Sequence, residues 1–173
     1  MLRDEEYEQF VRSGRGRLMV TARLLATGDS HLAEDLVQNA LVRLYVAWER
    51  ARQVNTEAYA RRVLVNCFID HRRRPWVRRE HVADELPDLP VSSDGLDDDL
   101  AAALLAALRS LPPRMRAAVV LRHVEDLSVE AVADALGCST GTVKSQTARG
   151  VEKLRAQLAT LPLRSGAEPG GNR

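Results

Sequence analysis

The chain is predicted to be all-α: two small helical domains joined by a flexible acidic linker. Three observations lead there. Ala, Leu, Val and Arg dominate while aromatic residues make up only 4%, a usage that favours helices over a sheet. Apolar residues recur at helical spacing both before and after a segment, 76–98, that has no sustained period. That segment also carries Pro87, Pro90, Ser92, Ser93 and Gly95 among acidic residues, and a loop of that length is unusual inside one compact domain. The expected division is 1–75 for the first domain, 76–98 for the linker, 99–160 for the second domain and 161–173 for a disordered tail.

The first helix is expected from about Asp4 to Ala26, with Tyr7, Phe10, Val11, Leu18, Ala22 and Leu25 on one face. Gly14 and Gly16 weaken it by roughly 1 kcal/mol each relative to Ala. "TGDS" at 27–30 is a turn in which Asp29 or Ser30 is placed to cap the next helix. That helix has the cleanest stripe in the chain: Leu32, Ala33, Leu36, Val37, Ala40, Leu41, Leu44, Tyr45 and Trp48. A third runs from about Thr56 to Arg74 with Ala60, Val63, Leu64, Cys67 and Phe68 inside, and Pro75 stops it. Together these form a three- to four-helix bundle just large enough to fold alone.

Beyond the linker, "LDDDLAAALLAALRSL" starts near Leu96, with Asp97, Asp98 and Asp99 in the first turn, where the helix dipole favours negative charge. "LPPRMRAAVVLRHVED" is a further helix with Pro113 suited to the first helical position. Ser128 then caps a short helix with Ala131, Val132, Ala135 and Leu136 inside, followed by Gly137, Cys138 and Ser139. A longer helix follows, with Val143, Thr147, Val151, Leu154 and Leu158 inside.

The spacing in this last pair carries a functional reading. Ala133 has only a methyl, so the second helix can cross close above it. Gly137 can take the positive φ of a tight interhelical turn, and Val143 plugs the angle between the helices. Small residue, glycine and β-branched plug at these offsets form a DNA-binding helix-turn-helix pattern. A plain αα-hairpin would not need the polar start Ser139-Thr140-Gly141-Thr142. The outward face holds Thr140, Lys144, Ser145 and Arg149, with Gln146 at its margin. These are short donors and acceptors plus two cations, suited to base edges and phosphates in a major groove. Arg122, in the preceding helix, is placed for a phosphate.

Charge and chemistry bound the alternatives. Residues 1–75 hold 13 Lys/Arg against 10 Asp/Glu, residues 76–100 hold 2 against 8, and residues 101–173 hold 10 against 6. Two weakly basic modules meeting a polyanion fit that pattern, and so does a plain solvated linker. Cys67 and Cys138 lie in apolar helical patterns and read as buried free thiols in a reducing compartment. The acidic start "MLRDEEYEQF" is unlike a signal peptide, and no apolar run approaches the ~18 residues of a membrane span, so a cytoplasmic location without membrane insertion is expected. His31, His71, His81 and His123 are scattered, with no nucleophile motif, phosphate loop or metal-ligand spacing beside them. No enzyme, metal or cofactor is expected.

The chain resembles an extracytoplasmic-function sigma factor, one of the small two-domain initiation subunits of bacterial RNA polymerase, in the actinobacterial SigE-like style. "HLAEDLVQNALVRLYVAW" and "AYARRVLVNCFIDHRRR" look like region 2, and "LPPRMRAAVVLRHVEDLSVEAVADALGCSTGTVKSQTARGVEKLRAQL" like region 4. The resemblance covers about residues 4–160, with "AEDLVQ" and "GTVKS" its most specific pieces. It implies that the helix around "AEDLVQ" docks on the β′ clamp helices of core polymerase through Asp35 and Gln38, with Asn39, Val42 and Arg43 beside them. It implies that the third helix and the loop before it melt and hold the −10 DNA. Asn66 then stands at the base-recognition position, Arg61, Arg62, Arg72, Arg73 and Arg74 supply cations, and Asn55, Thr56 and Asp70 complete the set.

In region 4 the resemblance gives the −35 contacts to Lys144, Ser145 and Arg149, with Arg122 on a phosphate and Ser139, Thr140, Thr142 and Gln146 around them. Region 4 also rests on the β flap. The implied partners are core polymerase, promoter DNA and an anti-sigma factor, and the free chain is expected to be a monomer. Two departures stand out: Gln146 and Thr147 follow "GTVKS" where the family often has Arg and a larger apolar residue, and "CFIDHRRR" replaces a Trp-rich stretch. Gln146 is therefore where an altered −35 preference is expected. The alternative function is a stand-alone helix-turn-helix regulator that binds operators as a dimer.

Overall fold

A computed structural model describes residues 2–74 and 98–161, and among these the secondary structure is entirely helical. The expected linker falls almost wholly outside the described residues, and so does the expected tail apart from Leu161.

Helix α1 spans Arg3–Leu25, opened by Asp4, Glu5 and Glu6 in its first turn. It runs unbroken through Gly14, which lies under the Phe10 ring. Two left-handed residues, Thr27 (φ 52°) and Gly28 (φ 88°), stop it, and Gly28 N–H donates to Arg23 O at 3.0 Å. Helix α2 (Ser30–Val46) starts where Asp29 Oδ1 accepts from Leu32 N at 3.0 Å, so Asp29 is the cap. A single turn, α3 (Trp48–Ala51), follows where the apolar spacing predicted no separate helix. Trp48 holds it by burying its ring edge-on against Tyr7 and tilted against Phe10. Helix α4 (Thr56–Arg73) ends at Arg74, whose backbone is extended.

The second block holds α5 (Asp98–Ser110), α6 (Pro113–His123, with Pro113 in its first turn), α7 (Val129–Leu136) and α8 (Thr140–Leu158). One inner residue differs from expectation. Ala131 is exposed, and α7 instead buries Val132, Ala133, Ala135 and Leu136. At 3.6 residues per turn, a stripe centred between Val132 and Leu136 leaves Ala131 on the opposite side. Tyr45 is also more open than its place in the apolar stripe implied, because its hydroxyl donates to Asp4 and the Arg3 guanidinium lies over its ring.

The two blocks do not stand apart. Helices α1 and α4 pack on α6 and α7, so one continuous core runs from Leu18 to Leu154.

Candidate nucleic-acid interface

The helix-turn-helix is built as its spacing dictates. Ser128 Oγ accepts from Ala131 N at 3.1 Å to start α7, and Gly137 takes φ 62°, ψ 43° to end it. Cys138 N–H then donates to Ala133 O at 3.0 Å, satisfying a carbonyl the helix end would leave orphaned. Ser139 Oγ accepts from Thr142 N at 3.1 Å and lies 2.9 Å from Thr142 Oγ1, so the first turn of α8 is tied by its own hydroxyls. Val143 is fully buried in the angle between the helices.

This leaves Thr140, Thr142, Lys144, Ser145 and Arg149 exposed along the leading end of α8. Ser139 is exposed as well but committed to the cap, and Ser145 Oγ donates to Thr142 O at 3.1 Å. Gln146 lies half-buried, and its Oε1, like Thr147 Oγ1, is buried without a hydrogen-bond partner. Arg122 is half-buried and donates to Leu127 O, holding the turn between α6 and α7 rather than extending freely.

On α4 the candidates divide. Asn66, Arg73 and Arg74 are exposed. Asn55 Oδ1 accepts from Ala58 N at 3.0 Å and Thr56 Oγ1 donates to Ala51 O at 3.3 Å, so both fix the start of the helix. Asp70 is paired with Arg43 of α2 at 2.9 Å, which joins a residue expected at the −10 DNA to one expected at core polymerase. Arg61 Nε lies 3.0 Å from Glu125 and its Nη2 3.3 Å from Glu57, while Arg62 Nη1 is 3.4 Å from Asp134. Glu125 and Asp134 belong to the second block. Arg72 is half-buried, which disfavours its charged form.

The outward face of α2 presents Asp35, Gln38, Asn39, Val42 and Arg43, all exposed. It continues into Val46, which the sequence reading passed over. Val42 and Val46 are 63% and 77% exposed, one turn apart on a helix whose other face is buried. The available signal was the fourth-residue repeat outside the core stripe.

Two further residues went unread. Gly150 is buried where α8 crosses α6, and a Cβ there would lie 2.5 Å from Val119 Cγ2 and 3.1 Å from Met115 Cγ. Arg116 is 3% exposed and makes no ion pair among the described residues. It donates to the carbonyls of Leu108 (2.9 Å), Leu25 (2.7 Å), Arg109 (3.2 Å) and Leu111 (3.2 Å), with its guanidinium 5.7 Å from the Phe68 ring centre. These carbonyls belong to the ends of α1 and α5, where orphaned oxygens carry partial negative charge. Burial, with Arg72 and Arg109 nearby, pushes its pKa down to about 10, so it stays charged at neutral pH.

Among the described residues no group of three or more His, Cys, Asp or Glu is arranged to hold a metal, and no helix is long and apolar enough to cross a membrane. Cys67 is buried, Cys138 is partly buried, and both are free thiols.

A helical block with an outward polar stripe, joined to a helix-turn-helix block with a cationic leading face, defines a two-part DNA-binding protein. Residues 10–78 match the Sigma-70 region 2 family and residues 101–154 match Sigma-70, region 4. The chain is 39% identical over 163 residues to an RNA polymerase sigma-E factor of Streptomyces avermitilis, covering 91% of this chain and 88% of the relative. It is 37% identical to one of Streptomyces coelicolor, covering 91% and 89%. The chain therefore belongs to the extracytoplasmic-function sigma factors of RNA polymerase. Among solved structures, the sigma factor RpoE in complex with the anti-sigma factor NepR from Bartonella quintana has the same fold, with a TM-score of 0.74 at 24% identity, covering 90% of this chain and 98% of that one. CnrH in complex with the cytosolic domain of CnrY has a TM-score of 0.64 at 22% identity, covering 90% and 89%.

Proposed function

We propose that the chain binds core RNA polymerase and directs promoter-specific initiation by recognising −35 and −10 elements, with no chemistry of its own. The observation that carries this is the leading end of α8. Lys144, Ser145 and Arg149 stand exposed on a helix start kept slim by Ser139, Thr140, Gly141 and Thr142. Such a face fits a major groove, its cations taking guanine edges or phosphates and its hydroxyls either donors or acceptors. Gln146 reaches a base once its side chain turns outward, and it tunes the −35 preference. Arg122 supports the reader by holding the turn before it.

The division into residues 1–75 and 99–160 follows the two jobs. Asn66 receives a −10 base, and Arg61, Arg62, Arg72, Arg73 and Arg74 guide its strand. The outer face of α2, with Asp35, Gln38, Asn39, Val42 and Arg43, docks on the β′ clamp helices, and the second block rests on the β flap. Both named structural relatives are complexes with a second protein, RpoE with the anti-sigma factor NepR and CnrH with the cytosolic domain of CnrY. An anti-sigma partner for this chain is proposed by analogy, as is a cytoplasmic place beside polymerase. Run-off transcription with purified core polymerase on genomic fragments tests the function. Discrete start sites sharing −35 and −10 sequences are expected. Core-independent operator binding by a dimer, with no transcripts, would replace this reading by the stand-alone regulator.

A further inference from the structure

We propose that the flank of α8 binds a nucleotide-sized ligand that carries phosphate and a flat ring. Occupation of this groove withholds Lys144 and Arg122 from the duplex, so the ligand competes with −35 recognition. The competition, though not the binding, rests on the assignment of α8 to the −35 duplex.

The groove lies where α8 passes the end of α6 and the start of α7, and it holds about 480 Å³. That falls within the ~300–1,000 Å³ of small-molecule sites. Arg122 and His123 line it from α6, while Lys144 and Arg155 line it from α8, about three turns apart. Glu152 is the one carboxylate among the lining residues, so the field inside favours an anion. The floor is apolar, with Val129 and Val151 half-buried beside Ala148. Cations around an apolar floor suit a ligand that is charged at one end and flat at the other. Lys144, His123 and Arg155 are exposed, and among the described residues no side-chain hydrogen bond or ion pair commits them. Arg122 is anchored instead, since it donates to Leu127 O and so holds its guanidinium in place at the groove.

Thr147 supplies a second observation. It lines the groove, yet its Oγ1 is buried without a hydrogen-bond partner. A helical threonine often bonds back to the carbonyl one turn before it, and native structures rarely leave a buried polar group unpaired. Rotation about the Cα–Cβ bond turns this hydroxyl to the groove, where it can donate to a phosphate oxygen or a ring nitrogen. The duplex does not fill the same space. From Thr140 to Arg155 is about 22 Å of helix at ~1.5 Å per residue, whereas a major groove is about 8.5 Å deep. With the leading end of α8 inserted, Arg155 stands clear of the bases. The groove therefore overlaps the reader at Lys144 and Arg122 and extends beyond it.

Two measurements on the full chain test this. In isothermal titration calorimetry at low salt, ATP and GTP are expected to bind. Pyrophosphate should bind about tenfold more weakly for want of a ring, and adenosine not measurably for want of phosphate. His123→Ala/Arg155→Ala is expected to lower nucleotide affinity about tenfold with the melting temperature unchanged. Arg23→Ala, which removes an exposed charge from α1, should leave that affinity as it was. In fluorescence anisotropy, ATP at about ten times its wild-type Kd is expected to weaken binding of a labelled duplex of about 20 base pairs roughly tenfold in wild type, and about twofold in His123→Ala/Arg155→Ala. Absent nucleotide binding, or an equal loss in Arg23→Ala, overturns the site. Loss of duplex affinity in His123→Ala/Arg155→Ala with nucleotide affinity unchanged makes the groove a phosphate track of the DNA and likewise overturns the ligand. Nucleotide binding that leaves duplex affinity untouched overturns the competition alone and places the fault in the assignment of Lys144 to the duplex.

Discussion

Gly150 sets how closely the reading helix lies on its support. An added methyl would sit 2.5 Å from the branched side chain of Val119, which has little freedom to move aside. Gly150→Ala removes a helix-weakening glycine, a gain of roughly 1 kcal/mol, yet forces α8 off α6 at a cost of about 1–3 kcal/mol. The expected result is a lower melting temperature with weakened −35 duplex binding; a stabilised variant would show that the crossing has slack. Arg149 makes the opposite kind of case, exposed and without a hydrogen-bond or ion-pair partner among the described residues. Arg149→Ala should leave stability unchanged and weaken promoter binding by about 1–3 kcal/mol if it pairs bidentately with guanine. Binding measured across base substitutions distinguishes this from a phosphate contact, which would weaken all sequences alike.

Element boundaries follow local rules, and these were readable. Asp29, Ser128 and Ser139 cap where short oxygen-bearing side chains precede apolar periods, and Gly137 takes the left-handed conformation its place between two helices required. The one-turn α3 was not readable, because it is held by Trp48 packing on α1 rather than by anything in "WERA". Within α2, capping and core stripe leave an outer face that stays exposed among the described residues. Asp35→Ala/Gln38→Ala is expected to reduce affinity for core polymerase while leaving the melting temperature within about 1 °C, since exposed substitutions of this kind cost little. Core binding equal to wild type would remove α2 from that contact. Val42 and Val46 extend the same face as an exposed apolar pair one turn apart.

At the scale of the whole molecule, the sequence predicted two helical blocks but carried no sign that they meet. That contact depends on residues far apart in the chain, Arg61 with Glu125 and Arg116 with Leu25, and neither pairing leaves a periodic trace. The exposed leading face of α8, by contrast, was legible because one short stretch of consecutive residues makes it. The shared core predicts that the blocks unfold together. Calorimetry should give one endotherm for wild type and two for Arg116→Met, which strands the carbonyls of Leu25 and Leu108, at about 1–3 kcal/mol for each buried group left unpaired. A single unshifted endotherm in the variant would show that Arg116 does not join the blocks.

Arg116 also gives the shared core a direction. Its guanidinium, held by the carbonyls of Leu25, Leu108, Arg109 and Leu111, lets the core close over the ends of two helices with their orphaned oxygens paired, so the blocks meet in one orientation where an apolar patch alone would let them slide.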